Sequence, residues 1–152
     1  MRMTTSATSN NASPSGSLMT LIQRLRGFCE EKETEILELT GLTLPQYRCL
    51  CRMPSCGSVP TGELSRLTGL SASRGGRVID DLVRLGFLRR EDDPTDRRAQ
   101  MLVLSISGGA MRRRIDTLVC HCDEILTGRM SPLELAQVQT GLNTLAQVIE
   151  AT

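Results

Sequence analysis

The chain has 152 residues, a formal net charge of +1, 39% hydrophobic and 23% charged residues. That length buries one core and suits one domain with helical extensions. No run of about 18 apolar residues occurs, which excludes a helical membrane span. No apolar segment of a secretory signal opens the chain, so the expected compartment is the cytoplasm. Of 18 basic residues only Lys32 is lysine. Arginine reads phosphates and guanine edges bidentately, although genome base composition also produces such a bias. The near-neutral balance excludes a globally basic chain, so any DNA contact must come from arginines gathered on one face. Phe28, Tyr47 and Phe87 are the aromatics and there is no Trp, which disfavours a stacking platform for single strands.

Residues 1–17 are rich in Ser, Thr and Asn and read as a flexible tail. From Leu18 the spacing of Leu21, Ile22, Leu25, Cys29, Ile36 and Leu37 is helical, and Gly41 ends that helix. Thr43 with Gln46 predicts a capping box and Leu42 with Tyr47 a hydrophobic staple, opening a second helix that Pro54 closes. A turn from Ser55 to Val59 follows. Thr61 is expected to cap a third, short helix carrying Leu64 and Leu67. Gly69 breaks it and Ser71 caps a fourth, with Val78, Ile79, Leu82 and Val83 inward and Gly86 at its C′ position. Helix, glycine-containing turn, helix is a helix-turn-helix pattern.

After Gly86 the period changes. Phe87–Arg90 and Met101–Ile106 read as two strands around the polar turn 91–98, a hairpin that completes a winged helix. Two long helices finish the chain. Met111, Ile115, Leu118, Cys122 and Ile125 share one face. Ser131-Pro132-Leu133-Glu134 caps the last helix, with Leu135, Val138, Leu142, Leu145 and Ile149 in a stripe. The expected fold is mainly α with a small β-hairpin wing (α+β). A winged helix-turn-helix spans residues 42–105, and the helices of 18–40 and 106–152 form a dimerisation region.

These residues resemble the MarR (multiple-antibiotic-resistance regulator) transcription factors. The resemblance rests on Leu42-Thr43-Leu44-Pro45-Gln46-Tyr47-Arg48-Cys49-Leu50, on Glu63-Leu64 and on Gly69-Leu70-Ser71-Ala72-Ser73. It continues through Leu82-Val83-Arg84-Leu85-Gly86-Phe87-Leu88-Arg89-Arg90, Asp93-Pro94-Thr95-Asp96-Arg97-Arg98-Ala99 and Leu104-Ser105 with Gly108. It covers about residues 20–150, and the Asp-Pro-x-Asp-Arg-Arg wing is its most specific part. The resemblance implies a homodimer that binds double-stranded DNA at a palindromic operator, usually as a repressor relieved by a small signal. Ser71, Ser73, Arg74 and Arg77 would then enter the major groove. In the wing Arg98, beside Arg97, matches the family's minor-groove arginine, and Asp96 the acid that orients it. One departure stands out: Gly75-Gly76 costs roughly 1–2 kcal/mol of helix propensity. A recognition helix that is soft until it meets DNA, or one that bends to fit an unusual site, is therefore expected, and alanine at both positions should tighten binding.

Six cysteines are unusual for a cytoplasmic chain: Cys29, Cys49, Cys51, Cys56, Cys120 and Cys122. The resemblance implies that the stretches carrying them wall the family's effector pocket. Three readings stand open. The thiols pack or are incidental; some hold a transition metal ion or an iron–sulfur cluster, with His121 as a nitrogen donor; or an exposed thiol is oxidised to a disulfide. Cys49 and Cys51 lie about 200° apart on a helix and share no face, as do Cys120 and Cys122.

An enzyme finds no support. There is no glycine-rich phosphate loop and no framed carboxylate pair, and the single histidine neighbours its cysteines too closely for a spatially built dyad. The alternatives kept are a regulator answering a small organic ligand with incidental cysteines, and a dimeric interaction module with degenerate DNA binding.

Overall fold

The computed structural model describes residues 16–93, 95–96 and 99–151. Its elements in chain order are α1 (Leu18–Thr40), α2 (Leu44–Arg52), β1 (Ser58–Pro60), α3 (Thr61–Leu67), α4 (Ala72–Arg84), β2 (Leu88–Asp92), β3 (Gln100–Leu104), α5 (Ile106–Thr127) and α6 (Pro132–Glu150). The described residues divide into two compact units, up to Glu35 and from Ile36 on.

In the first unit Ser17 starts α1 by accepting the Thr20 N–H at 3.2 Å. Arg26 pairs with Glu30 one turn on, at 2.6 Å. Leu18, Leu21 and Leu25 are exposed, so this part of the helix carries its apolar stripe on its surface.

The second unit is a winged helix-turn-helix followed by two long helices. Its core joins Cys49 and Leu50 of α2, Leu64 of α3, Ile79 and Leu82 of α4, Leu88 of β2, Leu102 of β3 and Ile115 of α5. All eight are essentially inaccessible to solvent, and burial of that kind supplies most of the folding drive. Gln46 completes the α2 cap, its side-chain oxygen accepting the Thr43 N–H at 2.9 Å. At the end of α4, Gly86 (φ 79°) lets its own N–H reach the Val83 carbonyl and the Phe87 N–H reach that of Leu82, the paired bonds of a Schellman stop.

Two strands are expected from the sequence; the sheet has three, in the antiparallel order β1-β3-β2. The missing one is β1, where Val59 sits opposite Leu102. The turn read over Ser55–Val59 thus ends in a strand whose partner lies some forty residues away. The expected strand Met101–Ile106 stops at Leu104. Ser105 leaves the sheet because its hydroxyl accepts the Gly108 N–H at 2.9 Å and caps α5. Ile106 is therefore helical and lies 92% exposed. Thr61 does not cap α3; its hydroxyl donates to the Gln100 carbonyl at 3.0 Å and ties the helix-turn-helix to the wing. Gly108 is required by close approach: a Cβ there would stand 1.9 Å from the Phe87 carbonyl oxygen.

Among the described residues no helix is long and apolar enough to cross a membrane.

Candidate nucleic-acid interface

The site grows from the start of α4. Ser71 has extended backbone and its hydroxyl accepts the Arg74 N–H at 3.4 Å, so the helix begins where the sequence cap places it. Ile79 and Leu82 turn inward and are fully buried. Helical geometry then sends Ser73, Arg77 and Asp80 to the opposite side, with Arg74 beside them. Ser71, Ser73, Arg74 and Arg77 are all exposed. Among the described residues neither Arg74 nor Arg77 is in an ion pair, whereas Arg84 pairs with Asp81 at 2.6 Å and Arg90 pairs with Asp80. The face thus offers two free guanidiniums and two hydroxyls on the first turns of one helix.

The Asp80–Arg90 pair bridges α4 to β2. It joins helix and wing, and the sequence carried no signal for it beyond opposite charges ten residues apart.

The wing tip is organised by Asp93. Its carboxylate accepts the Thr95 hydroxyl at 2.6 Å, the Thr95 N–H at 2.7 Å and the Asp96 N–H at 3.3 Å. The Thr95 hydroxyl, and after it the two N–H groups, hold the Asp93 carboxyl below its ordinary range. Backbone bonds from Asp93 N–H to Ala99 and from Ala99 N–H to Asp96 close the turn. Asp93 went unassigned in the sequence, although Asp followed by Pro-Thr is a recognisable turn signal. Asp96 sits in this turn. Arg97 and Arg98, expected beside it in the minor groove, lie outside the described residues.

Gly75 and Gly76 differ. Gly75 is buried where α4 crosses α3, and a Cβ on it would meet Ser65 Oγ at 2.2 Å and Ser65 Cβ at 2.6 Å. Gly76 has nothing within 4 Å of that position. The expectation that alanine suits both positions is corrected: one glycine is required by helix crossing, the other is not.

The cysteines spread over several elements. Cys49 is buried, Cys51 and Cys122 are half-buried, and Cys29, Cys56 and Cys120 are exposed. Burial pushes the Cys49 thiol up against the opposing Thr68 bond. It likewise pushes up Cys51, against a Tyr47 hydrogen bond and the nearby Arg112 charge. His121 stands 3.8 Å from Glu124 on an exposed stretch of α5. Among the described residues no three His, Cys, Asp or Glu side chains converge as metal ligands. Of the three readings, the metal or iron–sulfur one thus finds no set of three such ligands among the described residues.

A family model described as MarR family matches residues 40–99. By sequence the chain is 24% identical over 110 residues to the multiple antibiotic resistance protein MarR of Escherichia coli, covering 72% of this chain and 74% of that protein. Over residues 40–99 the chain is similar to the MarR family. Members of the MarR family are DNA-binding transcription regulators, not enzymes. A second relative, the HTH-type transcriptional regulator YcgE of Bacillus subtilis, is 40% identical over 47 residues, 31% of this chain and 30% of that protein. The chain thus spans under a third of the length of YcgE. Apo MarR from E. coli has the same fold, with TM-score 0.71 at 23% identity over 85% of this chain and 96% of that one. So does FabT of Streptococcus pneumoniae, solved in complex with DNA, with TM-score 0.77 at 20% identity over 89% and 99%.

Proposed function

We propose that this chain is a MarR-type regulator, a homodimeric, cytoplasmic repressor that binds a palindromic DNA operator. The observation that carries the reading is the exposed face of α4, with Ser71, Ser73, Arg74 and Arg77 together and both guanidiniums free of ion pairs among the described residues. A helix of this size fits the major groove, where arginine pairs with guanine edges and serine holds phosphates. The wing, turned by Asp93 and carrying Asp96, Arg97 and Arg98, supplies the minor-groove contact. FabT, of the same fold, was solved with DNA bound.

Dimerisation supports a two-fold operator. No residue of α6 is buried, and Leu133, Val138, Leu142, Val148 and Ile149 are exposed along it. A helix with that apolar content is covered in solution. In this reading residues 42–105 read DNA, and the helices of 18–40 and 106–152 pair the two copies. Cys49 and Cys51 pack the reading domain rather than sense a signal.

The test begins with duplexes selected by the protein from a randomised pool. Affinity is read by fluorescence anisotropy across a salt series. Wild type should bind with sequence preference and a steep salt slope. Arg74→Ala and Arg77→Ala should each weaken binding at least about tenfold, as loss of a bidentate base contact does, with unchanged folding. Light scattering should give twice the 16.7 kDa protomer mass. Retained affinity in both variants, or a monomer, would sink the proposal.

A further inference from the structure

The last turn of α2 ends without a glycine. Arg52 is followed by Met53 in extended conformation and then by Pro54. One local bond closes the end, from the Met53 N–H to the Leu50 carbonyl at 3.2 Å. Carbonyls at a helix C-terminus otherwise need partners from elsewhere.

Here they come from α5, sixty residues later. Nη1 of Arg112 donates to the carbonyls of Leu50 at 2.9 Å, Cys51 at 2.9 Å and Met53 at 2.7 Å. Its Nε donates to Asp116 at 2.9 Å, one turn along α5. The carboxylate fixes the plane of the guanidinium, and the side chain is only 20% exposed. A cation at this end also meets the negative pole of α2. Two residues on, Arg114 donates to the Leu39 carbonyl near the end of α1 at 2.7 Å.

The elements that Arg112 joins link the proposed dimer helices to the core behind the DNA-reading helix. On one side, α5 leads in chain order to α6, whose exposed apolar residues are assigned above to the dimer. On the other, α2 buries Cys49 and Leu50 in the same core as Ile79 and Leu82 of α4. We infer that Arg112 is a positioning residue: it locks α5 to α2 and thereby sets the placement of the two recognition helices of a dimer. This rests on the dimeric DNA-binding reading.

The physical consequence concerns spacing. A dimer reads two half-sites together only when the separation and rotation of its recognition helices match the duplex. One added base pair lengthens the separation by about 3.4 Å and turns it by roughly 35°. A stiff α5–α2 joint makes that mismatch costly; a loose one absorbs it.

The experiment uses the full chain and a set of duplexes. Each carries the two selected half-sites at the selected spacing or with one or two base pairs added or removed. Each variant's affinities are divided by its own best value, so a general loss of stability or affinity cancels. Wild type should lose about tenfold or more at one added base pair, comparable to a mismatched base pair. Arg112→Met, which keeps the apolar stem and removes the donors, should lose threefold or less, by the same scale. Arg112→Lys, with a compact ammonium in place of the fork, should fall between. The salt slope should not change, because no phosphate contact is lost.

A wild-type spacing profile in Arg112→Met overturns the inference, whatever its melting temperature. If that variant does not fold, an unchanged profile in Arg112→Lys overturns it equally. A salt slope reduced by about one would also overturn it, by making Arg112 a phosphate contact. Wild type without any two-half-site preference refutes the dimeric reading itself, and the inference falls with it.

Discussion

Alanine at Gly75 and alanine at Gly76 should move stability in opposite directions. Both residues sit inside α4, and each substitution gains about 1 kcal/mol of helix propensity. At Gly76 nothing opposes that gain, since no atom lies within 4 Å of the new Cβ. At Gly75 the new Cβ would stand 2.6 Å from Ser65 Cβ and 3.2 Å from Ser65 Cα. Rotating the serine hydroxyl relieves neither contact, so α3 and α4 must move apart. Overpacking of this kind costs about 2–3 kcal/mol, leaving a net loss of about 1–2 kcal/mol after the propensity gain. Thermal melts at fixed protein concentration should place Gly75→Ala about 2–8 °C below wild type and Gly76→Ala about 2–4 °C above it. A double-mutant cycle isolates the contact. Ser65→Gly removes both side-chain atoms that the methyl meets, so Gly75→Ala should cost little in that background. Gly75→Ala as stable as wild type, or equally harmful with and without Ser65, would refute the argument.

Gly108→Ala should be severe, about 3 kcal/mol or more by urea unfolding, because its Cβ would overlap the Phe87 carbonyl; Gly109→Ala, whose nearest contact is Arg113 at 3.6 Å, should be mild. The carboxylate of Glu134 accepts the Ser131 N–H at 2.8 Å, and that bond holds its pKa below the ordinary 4.5. The folded value being the lower one, the cap's contribution is present above pH 4.5 and is lost as pH falls through the folded value. Glu134→Gln, which keeps an acceptor oxygen, should flatten that part of the acid unfolding curve. A thiol reagent at neutral pH should label exposed Cys56 in the native protein and reach Cys49 only on unfolding, since burial both shields the Cys49 thiol and raises its pKa; fast labelling that disappears in Cys49→Ser would contradict this.

The signals legible in the chain were local ones. Ser71 and Ser131 start helices because a side-chain oxygen reaches an N–H three residues on, within one turn. Gly86 stops α4 because the needed backbone conformation is a property of that residue. Helical spacing put Ile79 and Leu82 on the inward side of α4, and the family resemblance pointed to Ser73 and Arg77. The candidate face was readable for those reasons. What escaped depended on partners distant in sequence. β1 is three residues with one buried side chain, too short for a period, and it is a strand only because β3 lies beside it. Ser105 looked like the end of a strand until the chain turned into α5. Gly75 looked like a weak point in a helix, and only the crossing with α3 made it necessary. Arg112 carries no signal in the sequence, because its acceptors are backbone carbonyls, which every residue carries. Caps and periodicity are set by covalent neighbours, so one sequence determines them. Helix crossings, strand pairing and long-range donors depend on how the chain closes on itself, and only the tertiary structure decided those.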